Sequence, residues 1–516
     1  MERAAGKQLF VDDFFIESLS GAHRVLNRPD KLTMEGPLPS AAPLEHERDT
    51  IQYTGVLYDE RNQQFRLYYR AWHDHHFVIC AMESDDGINW RRPDLGLVEI
   101  DRSTMNNATN CPADPLVMFW DPHEREPAFQ WKRLDNAPTG SGPNGTRVWQ
   151  ACHSADGYDW RPYPAGTHST QSQLFAFGAP YESFGGSVNP DARYVHYAQR
   201  GSGRRTRVLG RRDSENALDW SGLRTVIDQD LSDPLGTEFY GSGFDSANRT
   251  DGGLHILMLS VFHTDLTEPH EIAVPKQYWG PGKPGPSAIA ARVDGVVETQ
   301  LAASRDTMSW TRWREPFLER GKPGAWDWGA VYTQGPILHD QKLWFYYCGN
   351  NLTHGGRTHR ADEAPYATPG RLGQGLAVMR PDGYVSVEAD SYAPGWLTTH
   401  RFRQEAGGII HANVDAQSGE LSYELLEDTG QPISGYTLAD CDPIRSDALD
   451  APLSWKGRAR WPAAGEDPRR QSRDLHASEY YIKLRFQITR GTQLYSVTLD
   501  PPEVTCWRAP LKGRVD

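Results

Sequence analysis

The sequence is poor in cysteine. Six cysteines stand in 516 residues (Cys80, Cys111, Cys152, Cys348, Cys441 and Cys506), and no two form a C-x-x-C pair. This scatter argues against a zinc site and against a disulfide framework, and it predicts reduced, mostly buried thiols in a cytoplasmic protein. No apolar run reaches the length of a membrane span, and the opening MERAAGKQLFVDD lacks the apolar h-region of a secretory signal. An excess of positive charge is missing too. Lys and Arg number 54 against 68 Asp and Glu, a net charge of −14, and the pairs Arg204-Arg205 and Arg211-Arg212 are too short to make a basic stripe. Neither nucleic acid nor an anionic membrane is an expected partner, because no surface is offered that would release their counterions.

What the chain has in quantity is 17 Trp, 22 Tyr, 48 Gly and 36 Pro. That mixture belongs to many short strands joined by tight turns, so the expectation is an all-β protein. Hydrophobic residues at 38% and charged residues at 24% place it among globular chains. At this length a single core normally stops growing, which predicts two domains, one of them modular.

An internal repeat supplies the module. Ser84-Asp85-Asp86-Gly87-Ile88-Asn89-Trp90 returns as Ser154-Ala155-Asp156-Gly157-Tyr158-Asp159-Trp160. Further copies run Arg212-Asp213-Ser214 to Asp219-Trp220, Ser304-Arg305-Asp306-Thr307-Met308-Ser309-Trp310 and, without the tryptophan, Arg380-Pro381-Asp382-Gly383-Tyr384. Asp caps a turn, Gly supplies positive φ and Trp packs the returning strand, so the motif needs no chemistry to explain it. Upstream of each copy lies a second strand pair, such as Val56-Leu57-Tyr58 with Phe65 to Tyr69, or Leu343 to Tyr347 after Gly335-Pro336-Ile337-Leu338. Four strands per unit in five units predict a five-bladed β-propeller over residues 1–395, with an N-terminal strand near Leu9 to Ile16 closing the ring or joining the second domain. Residues 396–516 carry alternating strands without the motif and are expected to form a β-sandwich.

The opening Leu9-Phe10-Val11-Asp12-Asp13-Phe14-Phe15-Ile16-Glu17, the Ser-x-Asp-Gly-x-x-Trp turns and the segment Gly324-Ala325-Trp326-Asp327 resemble a bacterial group similar to glycoside hydrolase family 32. The resemblance covers nearly the whole length. Families 32, 43 and 68 share the five-bladed propeller, and family 32 adds a C-terminal sandwich. What the resemblance implies is a glycoside hydrolase whose acids stand at the channel ends of inner strands. The chain lacks the Asn-Asp-Pro-Asn-Gly signature and the Glu-Cys pair of family 32, and Ala113 precedes Asp114-Pro115 where that family has Arg. Fructan specificity is not implied.

Residues just before each inner strand fall at the mouth of a propeller channel, whatever the family. They are Glu47, Arg48 and Asp49 for the first blade, Asp114 for the second, Glu182 for the third, Glu238 with Tyr240 for the fourth, and Trp326 with Asp327 for the fifth. Glycoside cleavage needs two opposed carboxyl groups, and the expected catalytic set is Glu238 and Asp327, with Asp49 and Glu182 completing an acidic ring. Aromatic neighbours single out Glu238 and Asp327, since they desolvate a carboxyl and offer a sugar platform. Trp326, Tyr240, His263, His354, Asp114 and Arg48 are expected to bind substrate. The run His73-Asp74-His75-His76 reads as a loop cluster without a metal, and no cofactor is expected. Three functions stay open: an exo-acting glycoside hydrolase, a glycoside phosphorylase using Arg200, Arg204 and Arg207 for phosphate, and a non-catalytic carbohydrate-binding propeller.

Overall fold

The computed structural model describes residues 2–4, 6–38, 55–59, 61–73, 76–111, 118–121, 124–135, 150–163, 180–182, 194–201, 207–216, 218, 221–244, 254–264, 294–360, 370–403, 408–427, 429–460, 481–500 and 504–506. Among them the chain is all-β, its one helical element being the single 3-10 turn Pro127–Phe129. No helix among the described residues is long and apolar enough to cross a membrane. Two units emerge: Pro29–Ala247 with Ile256–Val378, and Met1–Arg28 with Asn248–His255 and Met379–Asp516.

The repeated turn is built by its own side chains. In the first copy the Ser84 hydroxyl donates to Asp86 at 2.9 Å and accepts the Gly87 N–H, while Asp86 Oδ1 accepts the N–H groups of Ile88 and Asn89 at 2.9 and 2.7 Å. Burial alone would raise the Asp86 carboxyl, but the Asn89 and Ile88 donors and the Ser84 hydroxyl outweigh it and lower its pKa. Ser154 with Asp156, and Ser304 with Asp306, repeat the pattern. In the third copy Asn216, not Asp213, is the capping residue, accepting from Ser214 and from the Leu218 N–H. Gly87 and Gly157 adopt φ of +72° and +82°, and Thr307 takes the same left-handed position at +62°. The fifth expected copy is not one. Asp382 belongs to the other unit and accepts from Lys7, Asn413 and Ser496, so its carboxylate joins segments distant in sequence instead of capping its own turn.

In the larger unit the strands form antiparallel meanders. The first holds Gly55–Asp59, Gln64–His73 and His76–Ser84, with single bridges Glu83↔Arg91 and Cys80↔Ala108 where a fourth strand was expected. The second is Met118–Trp120, Trp131–Asp135, Gln150–Ser154 and Arg161–Pro162, and the third Pro180–Glu182, Tyr194–Gly201, Arg207–Ser214 and Arg224–Ile227. A nine-stranded sheet follows. Its first half is Thr237–Phe244, His255–Thr264, Gly295–Ser304 and Thr311–Leu318; its second half is Ala330–Thr333, Ile337–His339, Lys342–Asn350, Leu372–Met379 and the early strand Asp30–Lys31. One parallel pairing, Val297↔Ala330, joins the halves.

Alternation along each strand gives every meander two buried faces, one for each neighbour. Tyr68, Ile79 and Ala81 of the first meander pack with Trp131, Cys152 and Trp160 of the second. Phe119 and Tyr194 meet between the second and third at 5.8 Å, with the Tyr194 hydroxyl donating to Asp121 at 2.5 Å. Val195, Tyr197 and Leu209 pack on Phe239, Leu257 and Val261 of the next. Phe65 and Leu67 of the first meander pack in turn against Trp344, Tyr346 and Leu376 near the chain's last meander. Tyrosines clamp the turns across these seams: Tyr68 to Gly157 O at 3.1 Å, Tyr197 to Thr307 O at 3.2 Å and Tyr346 to Gly87 O at 2.8 Å.

The smaller unit has two sheets. One contains Ile16–Ser20, Gly395–Thr399, Tyr481–Ile488, Phe402–Arg403, Val504–Cys506 and Glu2–Ala4, with Leu421–Glu427 on Tyr481–Ile488. The other contains Ala22–Leu26, Val385–Ala389, Gln493–Asp500, Ile409–Asp415 and Asp447–Pro452, with Lys7–Leu9 on Gln493–Asp500. Glu2–Ala4, Lys7–Leu9, Ile16–Ser20 and Ala22–Leu26 thus pair within these two sheets. This unit begins at Met379 and recovers Met1–Arg28, whereas the boundary expected from composition lies at 395/396. The motif-like Arg380–Tyr384 disguised the change.

Candidate functional site

Of the expected site residues, Arg48, Asp49 and Asp114 lie outside the described residues, as do Glu47, Asp74, His75 and Arg204. Glu182 ends the strand Pro180–Glu182, where it pairs with Tyr194. The other candidates fall into two groups in the larger unit.

The first group is built on paired strands. Glu238 sits opposite Phe262, so the two share a face of the sheet. Arg207 Nη1 donates to Glu238 Oε2 at 2.5 Å, and its guanidinium lies 4.9 Å from the Tyr240 ring centre and 5.6 Å from that of Phe262. Tyr240 is 5.6 Å from Phe262, 6.3 Å from Tyr332 and 5.9 Å from His354, and Phe262 is 5.0 Å from His354. The result is an aromatic wall capped by an ion pair. The Tyr240 hydroxyl is buried in it without a hydrogen-bond partner among the described residues. Burial pushes this phenol up; Arg207 opposes the shift and Glu238 adds to it. A buried hydroxyl left unpaired costs about 1–3 kcal/mol, which a ligand oxygen would recover.

Backbone geometry fixes both histidines at one point, Gly295. Its carbonyl accepts the His354 N–H at 2.9 Å, and a Cβ there would stand 2.0 Å from the His263 carbonyl oxygen. Asp294, buried, accepts from the Gly295 and Gly355 N–H groups at 2.6 and 2.7 Å and lies 3.3 Å from Arg357, holding the loop that carries His354. Gly295→Ala is therefore expected to lower stability by about 1–3 kcal/mol, since the clash is with backbone that cannot swing away. Urea denaturation of the purified variant checks this, and a midpoint equal to the parent's would refute it.

His263 Nε2 meets Glu298 Oε1 at 2.8 Å. Opposite Thr237 in the register, His263 is next in sequence to Phe262 but on the other face of its strand.

The second group is Trp326 and Asp327. Asp327 Oδ2 accepts from Lys31 Nζ at 2.5 Å and from the Tyr347 hydroxyl at 3.4 Å, and Lys31 lies 5.0 Å from the Tyr347 ring centre. Trp326 stacks on Tyr347 at 5.7 Å and donates its indole N–H to Thr33 O at 3.1 Å. Gly349 and Gly321 make room, for a Cβ at Gly349 would come 2.5 Å from the Trp326 ring and one at Gly321 2.0 Å from Asp327 Oδ1. Both Trp326 and Asp327 are buried. These contacts tie the segment Asp30–Thr33 into the last meander.

Sequence reasoning gave Arg207 to a phosphate site and overlooked Lys31, Phe262, Tyr332 and Glu298. Only the strand register connects them to the named residues. Among the described residues no group of three or more His, Cys, Asp or Glu could hold a metal ion.

No protein-family profile matches this chain, and no curated protein sequence does. Solved structures similar to it include a glycosyl hydrolase from Bacteroides ovatus, at 13% identity over 69% of this chain and 95% of that one, with a TM-score of 0.39. The α-L-arabinofuranosidase of Podospora anserina, in complex with cellotriose, is 13% identical over 69% and 98% of the two chains, with a TM-score of 0.36. The family 32 β-fructofuranosidase of Bombyx mori is 10% identical over 94% and 95%, with a TM-score of 0.35.

Proposed function

We propose that the larger unit is a five-bladed β-propeller, that the smaller is a β-sandwich without a catalytic part, and that the chain is an exo-acting glycoside hydrolase. In support of the propeller, each meander packs on the next and the last packs back on the first. A cycle of that kind leaves the first strands of the meanders around a common axis.

The observation that carries the functional reading is the site at Glu238: a carboxylate paired with Arg207 on an aromatic wall that buries an unpaired tyrosine hydroxyl. Sugars present apolar ring faces and hydroxyls together, and this wall offers a complement to both. Glu238 lies near the start of the first strand of its meander. Asp49 and Asp114 precede the first strands of their own meanders in sequence, and this reading draws the second carboxyl of an opposed pair from them; Glu182 ends its strand opposite Tyr194, the first residue of the next, and so stands at the other end of its meander from Glu238. Glu238 and Asp49 form the reacting set in this reading, and the expected place of Glu182 in it is given up. Asp327, enclosed by Lys31, Tyr347 and the glycines, supports the ring.

Hydrolysis is favoured over phosphorolysis because Arg207, one of three arginines a phosphate site would draw on, is engaged by Glu238. A release assay across aryl furanosides, aryl pyranosides and natural oligosaccharides, with and without phosphate, tests the reading. The expected result is phosphate-independent release of a terminal sugar from one class, lost at least about 100-fold in Asp49→Asn. Release that requires phosphate, or full activity in that variant, would overturn it.

A further inference from the structure

The geometry points to Glu298 as a positioning residue that fixes one tautomer of His263, so that the imidazole presents a bare Nδ1 as acceptor to a sugar hydroxyl; the functional half of this inference rests on the glycosidase reading. Side-chain exposure is 14% for Glu298 and 28% for His263, and Nε2 meets Oε1 at 2.8 Å. A carboxylate only accepts, so the shared proton sits on Nε2, and a neutral imidazole then keeps a lone pair on Nδ1.

Glu298 is itself oriented. Gln300 Nε2 donates to the same Oε1 at 3.4 Å and to the Arg314 carbonyl at 3.0 Å, and the positive charge of Arg320 is felt by both Glu298 and Asp327. Burial lowers the Arg320 pKa, and the two carboxylates oppose that shift. Among the described residues none hydrogen-bonds to Nδ1. The ring's backbone is pinned by Gly295, and the preceding residue, Phe262, is part of the aromatic wall. A partly exposed histidine whose Nε2 is held by a half-buried carboxylate, and whose Nδ1 no described residue engages, is arranged to receive a donor, and in the glycosidase reading that donor is a sugar hydroxyl reaching the face of the strand opposite the Glu238 wall.

The test combines nitrogen NMR with kinetics on the full chain. In protein labelled with 15N at histidine, the His263 signals are identified by their loss in His263→Gln. The parent is expected to show the Nε2–H tautomer, and Glu298→Leu a mixture. Glu298→Gln should retain the parent tautomer, because an amide oxygen accepts the same proton. On whichever aryl glycoside the parent turns over, Glu298→Leu should raise KM about 10-fold, the worth of one hydrogen bond, with a smaller change in kcat, and Glu298→Gln should recover most of the loss. A parent His263 protonated on Nδ1, or a tautomer indifferent to Glu298→Leu, overturns the dyad. An unchanged KM with an altered tautomer overturns the positioning role and leaves a structural pair. Failure of the parent on every glycoside refutes the glycosidase reading instead, and the tautomer alone then decides the dyad.

Discussion

Lys31→Met is expected to destabilise the larger unit by about 3–5 kcal/mol, the usual consequence of removing one partner of a buried ion pair. Asp327 is 3% exposed, and its carboxylate would be left with only the distant Tyr347 hydroxyl as a donor among its described contacts. The cost is not Coulombic alone. Lys31 belongs to the strand pairing Ala377↔Lys31 and Val378↔Asp30, and the Thr33 hydroxyl and carbonyl engage the Leu376 N–H and the Trp326 indole. Loosening Lys31 therefore loosens an entire sheet edge. For a unit of this size the shift should be a fall in Tm on the order of 5–10 °C, followed by tryptophan fluorescence. The isosteric Asp327→Asn added to Lys31→Met should restore part of the loss by removing the stranded charge; a larger residue would collide with the space that Gly321 leaves. A Lys31→Met protein melting within a degree or two of the parent would show that water or rearrangement satisfies Asp327, and that the edge holds without it.

Glu238→Gln carries the largest expected effect on activity. The substitution keeps shape and hydrogen-bonding reach but removes the charge, so it separates chemistry from packing. With substrate bound, loss of a reacting carboxyl should reduce kcat/KM about 100-fold or more, on the order of 3 kcal/mol of transition-state stabilisation. Stability will change as well, because the Arg207 guanidinium loses its counter-charge over Tyr240 and Phe262. Arg207→Met provides the comparison. It breaks the same pair from the other side, so a residue needed only for that pair would give similar losses of stability in both variants and little loss of turnover at temperatures well below the melt. Activity of Glu238→Gln within a few-fold of the parent, on a confirmed substrate, would make Glu238 a structural partner of Arg207.

What could be read from the sequence was local. The Ser-x-Asp turns were legible because every partner lies within five residues: Ser84, Asp86 and the N–H groups of Gly87 to Asn89 bond to one another wherever the chain places them. Strand positions were legible for the same reason, since alternation such as that of Tyr481–Ile488 records which side of a strand faces the core. The limit shows at Asp382, which has the composition of the motif but bonds to Lys7 and Ser496, 375 and 114 residues away. The chemistry of the site is nonlocal throughout. Arg207 and Glu238 are 31 residues apart, His263 and Glu298 35, and Lys31 and Asp327 296. With 54 Lys and Arg and 68 Asp and Glu in the chain, composition leaves each carboxylate many possible partners. The sequence by itself determined turns, strands and the identity of the candidate acids, because those depend on steric and hydrogen-bonding preferences within a few residues. Only the tertiary structure decided which acids meet a cation, that the Tyr240 hydroxyl finds no partner among the described residues and where the N-terminal strands go, because strand register and sheet packing choose among partners that are chemically equivalent in the chain.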